Sequence, residues 1–126
     1  IERTEKGVVL RLQEAVLFGM GSATLSAEAI RILDKIAPLL LTIPNVIEVE
    51  GHTDTLPIRS SIFPSNWELS IGRATAVIRH LVGIHRFPPD RLAARGMADN
   101  RPLVPNDGAR GNPRNRRVEL HIQAPT

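Results

Sequence analysis

The stretch Val46-Ile47-Glu48-Val49-Glu50-Gly51-His52-Thr53-Asp54 decides how this chain is read. Ile47 and Val49 alternate with Glu48 and Glu50, the period-2 signature of a strand with one apolar face. The strand exits through Gly51 to Asp54. Nineteen residues beyond Asp54, Arg73 stands within Asn66-Trp67-Glu68-Leu69-Ser70-Ile71-Gly72-Arg73-Ala74. An anion at a strand end and a cation near a helix start are what a fixed site for a zwitterionic, amino-acid-like ligand requires.

Working outward, Val8, Leu10 and Leu12 alternate with Val9, Arg11 and Gln13 as an earlier strand. A loop through Gly19, Gly21 and Ser22 leads to Ser26, an N-cap with Glu28 in the first turn. Ile30, Leu33, Ala37, Leu40 and Leu41 then recur at helical spacing up to about Thr42, with Pro38 removing one intrahelical bond. Pro44-Asn45 turns the chain into the central stretch. Beyond it, Thr55 to Pro64 has no period and carries Pro57 and Pro64, a loop of functional length. Ser65 followed by Glu68 is a capping box for a second helix, with Ser70 an alternative start. Ala74, Val77, Ile78 and Leu81 form its buried stripe and Gly83 reads as its terminator. Pro88-Pro89-Asp90 is a turn before a short strand, Arg91 to Arg95, that ends at Gly96. Met97 to Pro113 is a polar connection with room for one helical turn. Val118, Leu120 and Ile122 alternate with Arg117, Glu119 and His121 as the last strand. These periods imply an α+β fold, a small sheet covered on one face by two main helices, as a single domain over residues 1–126. No internal repeat is visible.

Composition narrows the function classes. With 42% apolar and 23% charged residues the 126-residue chain is of the soluble globular type, neither disordered nor membrane-spanning, and with 3% aromatics its core is aliphatic. The net charge is +3 and the only lysines are Lys6 and Lys35. Arginine suits planar oxyanions, and Arg86, Arg91, Arg95, Arg101, Arg110, Arg114, Arg116 and Arg117 crowd the last third. Such a field could attract an anionic polymer, although charge alone favours a solvated face. The absence of cysteine removes disulfides, thiol nucleophiles and Cys-bearing zinc sites. No signal peptide or apolar run of about twenty residues is seen, so any export signal or anchor would precede Ile1. A start at Ile1 reads as an excised fragment.

Plain alternatives attend each functional residue. Asp54 and Arg73 would serve equally as an internal ion pair, or Asp54 as a turn residue alone. His52 and Asp54 at i, i+2 share a strand face and invite a metal, with His80 or His85 as a further ligand, but no ligand motif has this spacing. A hydrolase would need Ser70 activated by His52, and no nucleophile elbow surrounds Ser70. Nucleic-acid binding calls for stacking aromatics or a basic recognition helix; Phe18, Phe63, Trp67 and Phe87 are scattered, and the second helix carries only Arg73, Arg79 and His80. Arg116 and Arg117 open the last strand, and because successive side chains point oppositely only one of them can reach a ligand. The other would be a solvated arginine steadying nearby loop carbonyls.

At these residues the chain resembles the OmpA-like peptidoglycan-binding domain, and more narrowly the periplasmic domain of MotB-type flagellar stator proteins. The resemblance covers nearly the whole chain and rests on Gly51-His52-Thr53-Asp54, Pro57-Ile58, Ser65-Asn66-Trp67-Glu68-Leu69-Ser70, Arg73-Ala74, Gly96, Pro102, Asn106 and Asn115-Arg116-Arg117-Val118-Glu119. Pro57 to Trp67 points to the stator branch over outer-membrane lipoprotein or porin relatives. The resemblance implies a β-α-β-α-β-β sandwich that binds the stem peptide of peptidoglycan without altering it, with no catalytic residue, metal or cofactor. It implies that Asp54 receives the ammonium of diaminopimelate and Arg73 clamps its carboxylate, with Thr53, Asn66, Leu69 and Arg116 completing the pocket. It further implies a homodimer in the periplasm, held to the inner membrane by a segment absent here, beside a channel-forming partner subunit. One stretch departs from the pattern: Gly108, Arg110, Gly111, Asn112 and Pro113 stand where relatives carry a Thr and Glu-Gly-Arg at a short helix.

Overall fold

The computed structural model describes residues 2–4, 7–19, 21–57, 62–108 and 110–124; Ile58 of the Pro57-Ile58 motif and Lys6 lie outside the described residues. In chain order the elements are β1 (Glu2–Thr4), β2 (Gly7–Gln13), α1 (Glu14–Leu17), α2 (Ala27–Leu41), β3 (Ile47–His52), α3 (Asn66–His85), β4 (Leu92–Gly96) and β5 (Arg117–Gln123). Single 3₁₀ turns at Pro89–Arg91 and Pro113–Asn115 precede the last two strands.

The sheet runs β1-β2-β5-β3-β4, so the last strand in sequence lies at its centre. β3 pairs β4 in parallel and β5 antiparallel, while β2 pairs β1 and β5 antiparallel, making the sheet mixed. The register sets Val49 opposite both Leu120 and Ala94, and Leu120 opposite Leu10. These apolar residues share the face against which α2 and α3 pack. Buried Leu33, Ala37 and Leu40 of α2 and Ala74, Val77 and Leu81 of α3 meet Ile47, Val49, Val118 and Leu120 there, with Leu17, Phe18 and Phe87 closing the cluster. Each fully buried branched or aromatic side chain contributes about 1.5–3 kcal/mol. Gly51 is required at the tightest approach of helix to sheet, where an added Cβ would stand 2.0 Å from the Ser70 carbonyl oxygen.

The sequence-derived elements reappear with some corrections. Ser26 caps α2 by accepting from the Ala29 amide at 3.0 Å, and Thr42 ends it. Pro38 sits inside this helix, but Ile30 and Leu41 lie on its exposed side, and Ala29 takes the buried position instead. Ser65, not Ser70, starts α3: its hydroxyl accepts from the Trp67 amide and donates to the Glu68 carboxylate. Gly83 does not end α3. The helix runs on to His85 because Arg86 takes the left-handed conformation (φ 54°) and Phe87, buried in the core, ties its amide to the Leu81 carbonyl at 3.1 Å. β1 and the short α1 went unforeseen, being too short to carry a period. The departure at Gly108 to Pro113 leaves a single 3₁₀ turn, capped by the Asn112 side chain, ahead of β5.

Candidate functional site

Three strand ends and one helix meet at a single edge of the sheet. β2 ends into Glu14, β3 runs out into Thr53 and Asp54, β5 begins just after Arg116, and α3 brings in Asn66, Leu69 and, about two turns in, Arg73. All six residues singled out from the sequence, Thr53, Asp54, Asn66, Leu69, Arg73 and Arg116, line one crevice of ≈180 Å³ together with Glu14, Gly21, Leu56 and Pro57.

Asp54 and Arg73 do not pair with each other. Asp54 Oδ2 accepts from Arg116 Nη1 at 2.9 Å, Arg116 Nε donates to Glu14 Oε1 at 2.8 Å, and Arg73 Nη1 donates to Glu14 Oε2. Charges therefore alternate along a chain from Asp54 through Arg116 and Glu14 to Arg73, two acids and two bases. The simple internal pair considered from the sequence is absent because Glu14 stands between the two bases. Asp54 is 1% exposed and Arg73 2% exposed, so both are held by structure and not by solvent.

Each member is locally fixed. Arg73 Nε donates to the Ser22 carbonyl at 2.8 Å and Nη2 to that of Gly19 at 3.1 Å, and its guanidinium lies over the Phe18 ring at 4.9 Å. The glycine- and serine-bearing loop before α2 is thus wrapped on this side chain. Asp54 Oδ1 accepts from the Leu56 amide at 3.1 Å. Asn66 donates to the carbonyls of Asp54 (3.4 Å) and Leu56 (3.0 Å), and the Thr53 hydroxyl donates to the Asp54 carbonyl at 3.0 Å. These two side chains hold the loop that carries Asp54. Gly111, with φ +63°, backs the carboxylate so closely that a Cβ there would stand 2.5 Å from Asp54 Oδ2.

Capacity for a guest remains on both signs of charge. A guanidinium has five N–H groups and a carboxylate about four lone-pair sites. Among the described residues, Arg73 commits three N–H groups to protein acceptors, Arg116 two, and Asp54 accepts two hydrogen bonds. The uncommitted donors and acceptors give the crevice what an ammonium–carboxylate pair needs, and its charged side chains sum to zero, matching a zwitterion.

Glu14 is the residue that sequence reasoning missed. Its signal lies in the strand register: Gln13 pairs Arg117, which sets Glu14 beside Arg116, and the Glu14 amide donates to the Arg116 carbonyl at 2.9 Å.

Other sequence-derived candidates lie elsewhere. His52 is the last residue of β3 and projects from the opposite face of the sheet, with Nε2 3.2 Å from Glu50 Oε1; the strand stops before Asp54, so the shared face expected of an i, i+2 pair is lost. His80 and His85 meet Asp34, not His52. The Ser70 hydroxyl donates to the Trp67 carbonyl and accepts from the Ala98 amide, across the sheet from His52, which removes the serine–histidine arrangement. Arg117 turns away from the crevice and steadies loop carbonyls of Asn115 and Arg101, both at 2.8 Å, but it is buried and not solvated. A broader depression of ≈640 Å³ lies on the open face of the sheet. Its Arg11–Glu2 and Arg95–Glu48 pairs tie neighbouring strands, and none of the six residues singled out from the sequence lines it, so the smaller crevice is the better candidate.

Comparison with known proteins agrees with this architecture. The chain is 48% identical over 122 residues to the uncharacterised protein YtxE of Bacillus subtilis (strain 168), covering 97% of this chain and 50% of that protein. It is 34% identical over 121 residues to Motility protein B of the same organism, covering 94% and 46%. The chain thus spans about half the length of these curated relatives. Among solved structures, the cell wall anchor of the T6SS from Pseudomonas aeruginosa superposes with a TM-score of 0.84 at 35% identity, covering 93% of this chain and 81% of that one. The periplasmic domain of Helicobacter pylori MotB (residues 78-256) does so with a TM-score of 0.88 at 26% identity, covering 99% and 81%. No helix among the described residues is long and apolar enough to cross a membrane. The OmpA family pattern matches residues 17–116, a span that holds every residue of the crevice except Glu14, and the chain belongs to the OmpA family.

Proposed function

We propose that this domain is a noncatalytic, periplasmic grip on the peptide stem of peptidoglycan, and that it holds a flagellar stator to the cell wall. The observation that carries the reading is that Asp54 and Arg73 share a crevice, are fixed by other partners, and retain unused hydrogen-bonding capacity. In this reading the ammonium of diaminopimelate is received by Asp54 and its carboxylate by Arg73, with Arg116 free to share between Asp54 and the guest. Thr53 and Asn66 keep the Asp54 loop in shape and Leu69 supplies an apolar wall. Membership of the OmpA family and likeness to proteins named for motility and for cell-wall anchoring support it. Because the guest must compete with existing internal bonds, each site binds modestly, and strong attachment comes from many sites on one polymer. Dimerisation, an inner-membrane segment and a channel-forming partner subunit belong to the same proposal.

Cosedimentation with purified sacculi tests the site. Wild-type chain is expected to pellet and Asp54→Ala to stay in the supernatant while still unfolding cooperatively. Arg73→Lys, which keeps the charge and loses the planar fork, is expected to pellet weakly. Pelleting of Asp54→Ala at the wild-type level would overturn the proposal. Release of soluble muropeptides during incubation would instead identify a hydrolase, and steep salt-dependent association with DNA or RNA a nucleic-acid binder.

A second reading keeps the chemistry and changes the machine. The 35% identity to a cell wall anchor of a secretion system favours an envelope anchor outside the flagellum. The protein sequence upstream of residue 1 separates the two: an apolar span bearing an acidic residue supports the stator, whereas a lipobox or a barrel supports an outer-membrane lipoprotein or porin.

A further inference from the structure

We propose that Asp34, His80 and His85 form a surface site for a divalent transition ion of the zinc class, bridging α2 and the end of α3. Asp34 lies in the middle of α2, and His80 and His85 lie in the last turns of α3, with His85 its final helical residue. Both imidazoles converge on a single oxygen: His80 Nε2 is 2.9 Å and His85 Nε2 2.7 Å from Asp34 Oδ1. One ligand atom from each residue lies within 4.8 Å of the other two, and the rings meet edge to face at 5.4 Å. Metal–ligand bonds of about 2.0–2.2 Å place neighbouring ligand atoms about 3–3.5 Å apart. The imidazole–carboxylate distances therefore need to open by about 0.1–0.8 Å to admit an ion between them.

The chemistry of the set points the same way. Two neutral imidazole nitrogens and one carboxylate select zinc, cobalt, nickel or copper over magnesium or calcium, which prefer all-oxygen ligands. The two imidazoles are hydrogen-bond partners of Asp34, and among the described residues no lysine or arginine pairs with it. The Asp34 side chain is 45% exposed, leaving open positions for water. A second histidine–carboxylate cluster, Glu50, His52 and Glu119, lacks these properties: Glu119 is already held by Arg11 and Arg117, and His52 is buried. Bound at the first cluster, an ion would staple the end of α3 to α2. His85 lies twelve residues beyond Arg73, about 18 Å along the helix, so the staple stands apart from the crevice.

Calorimetric titration of the tag-free chain with zinc chloride at pH 7.5, alongside thermal melts, tests the site. One saturable zinc ion per chain and a raised midpoint are expected, with affinity reduced at least tenfold in both His80→Gln and Asp34→Asn. His121→Gln is expected to bind as wild type, and magnesium at equal concentration to leave the midpoint unmoved. Absence of saturable binding to the wild type would overturn the proposal. So would undiminished binding in His80→Gln and His85→Gln, loss of binding in His121→Gln, or an equal effect of magnesium.

Discussion

The two faces at the end of this sheet use the same ingredients, alternating guanidinium and carboxylate groups, to opposite ends. On the open face the partners are dictated by strand register. Arg11 stands opposite Glu119 and donates to its Oε2 at 3.0 Å, Arg117 donates to the same oxygen at 2.6 Å, and His121 reaches Oε1 at 2.8 Å. Register also sets Glu50 directly opposite Glu119, a like-charge pairing that is unfavourable alone and is relieved by the charges of Arg11 and Arg117 and by the hydrogen bonds of His52 and His121. In the crevice the charged groups stand beyond the strand ends or on a helix. Register prepares only the Glu14–Arg116 pair, one residue past the β2–β5 ladder; Asp54 and Arg73 have no ladder partner, and Asp54, Arg73 and Arg116 keep unspent capacity beside open space. Charges locked in register hold a sheet together, whereas charges past its ends keep the capacity that the proposed guest would use.

This contrast breaks first at Glu14, the carboxylate that joins both guanidinium groups of the crevice. Glu14→Ala leaves Arg73 buried without its acid and is expected to cost about 3–5 kcal/mol in urea unfolding. A loss below about 1 kcal/mol would mean that the alternating chain of charges is incidental to folding.

Acid titration probes the locked face. Burial pushes the Glu119 carboxyl up, but the hydrogen bond and charge of Arg117, aided by His121 and His52, outweigh it and hold the group at about 2. A carboxyl depressed in the folded state stabilises fully above its unfolded value near 4.5, and that stability is lost as pH falls from there through about 2. The expected loss is on the order of 3 kcal/mol, read from melts between pH 5 and pH 2, and Glu119→Gln should flatten this part of the profile. An unchanged slope in the variant would remove Glu119 as the cause.

Gly111→Ala sharpens the comparison from the crevice side. Its left-handed backbone and the 2.5 Å approach to Asp54 mean that a methyl group must displace the carboxylate. The expected destabilisation is about 1–2 kcal/mol, with sacculus binding lost beyond what that accounts for. Wild-type pelleting by this variant would show that the carboxylate position is not critical. The smallest effect is expected at half-exposed His121. His121→Asn should cost less than about 1 kcal/mol in the same unfolding assay, because the arginines continue to hold Glu119.

How much of this was legible depended on the range over which each feature is encoded. β2, α2, β3 and β5 announce themselves through local period, and Ser26 and Ser65 through cap chemistry, so these elements emerged close to their observed bounds. The end of α3 did not, because burial of Phe87 outweighs the tendency of Gly83 to stop a helix, a tertiary effect invisible to local patterning. Arg117 and Glu119, on the polar side of the β5 alternation, are nonetheless buried, since Arg11 of β2 donates to Glu119, Glu119 is itself the anion for Arg117, and the 97–113 connection adds the Arg101 carbonyl as a neutral acceptor. In the crevice, Thr53, Asp54, Asn66, Leu69, Arg73 and Arg116 were readable from motif resemblance. Glu14 was not, because it acquires meaning only when two strands 102 residues apart are set in register.

The crevice is proposed to receive a zwitterionic guest. Heteronuclear NMR titration of the chain with a peptidoglycan fragment carrying diaminopimelate, in wild type and in Asp54→Asn, tests it most directly. Saturable shifts centred on Thr53, Asp54, Asn66, Leu69, Arg73 and Arg116 that disappear in the variant are expected. Shifts confined to the open face of the sheet, or equal in both proteins, would contradict it.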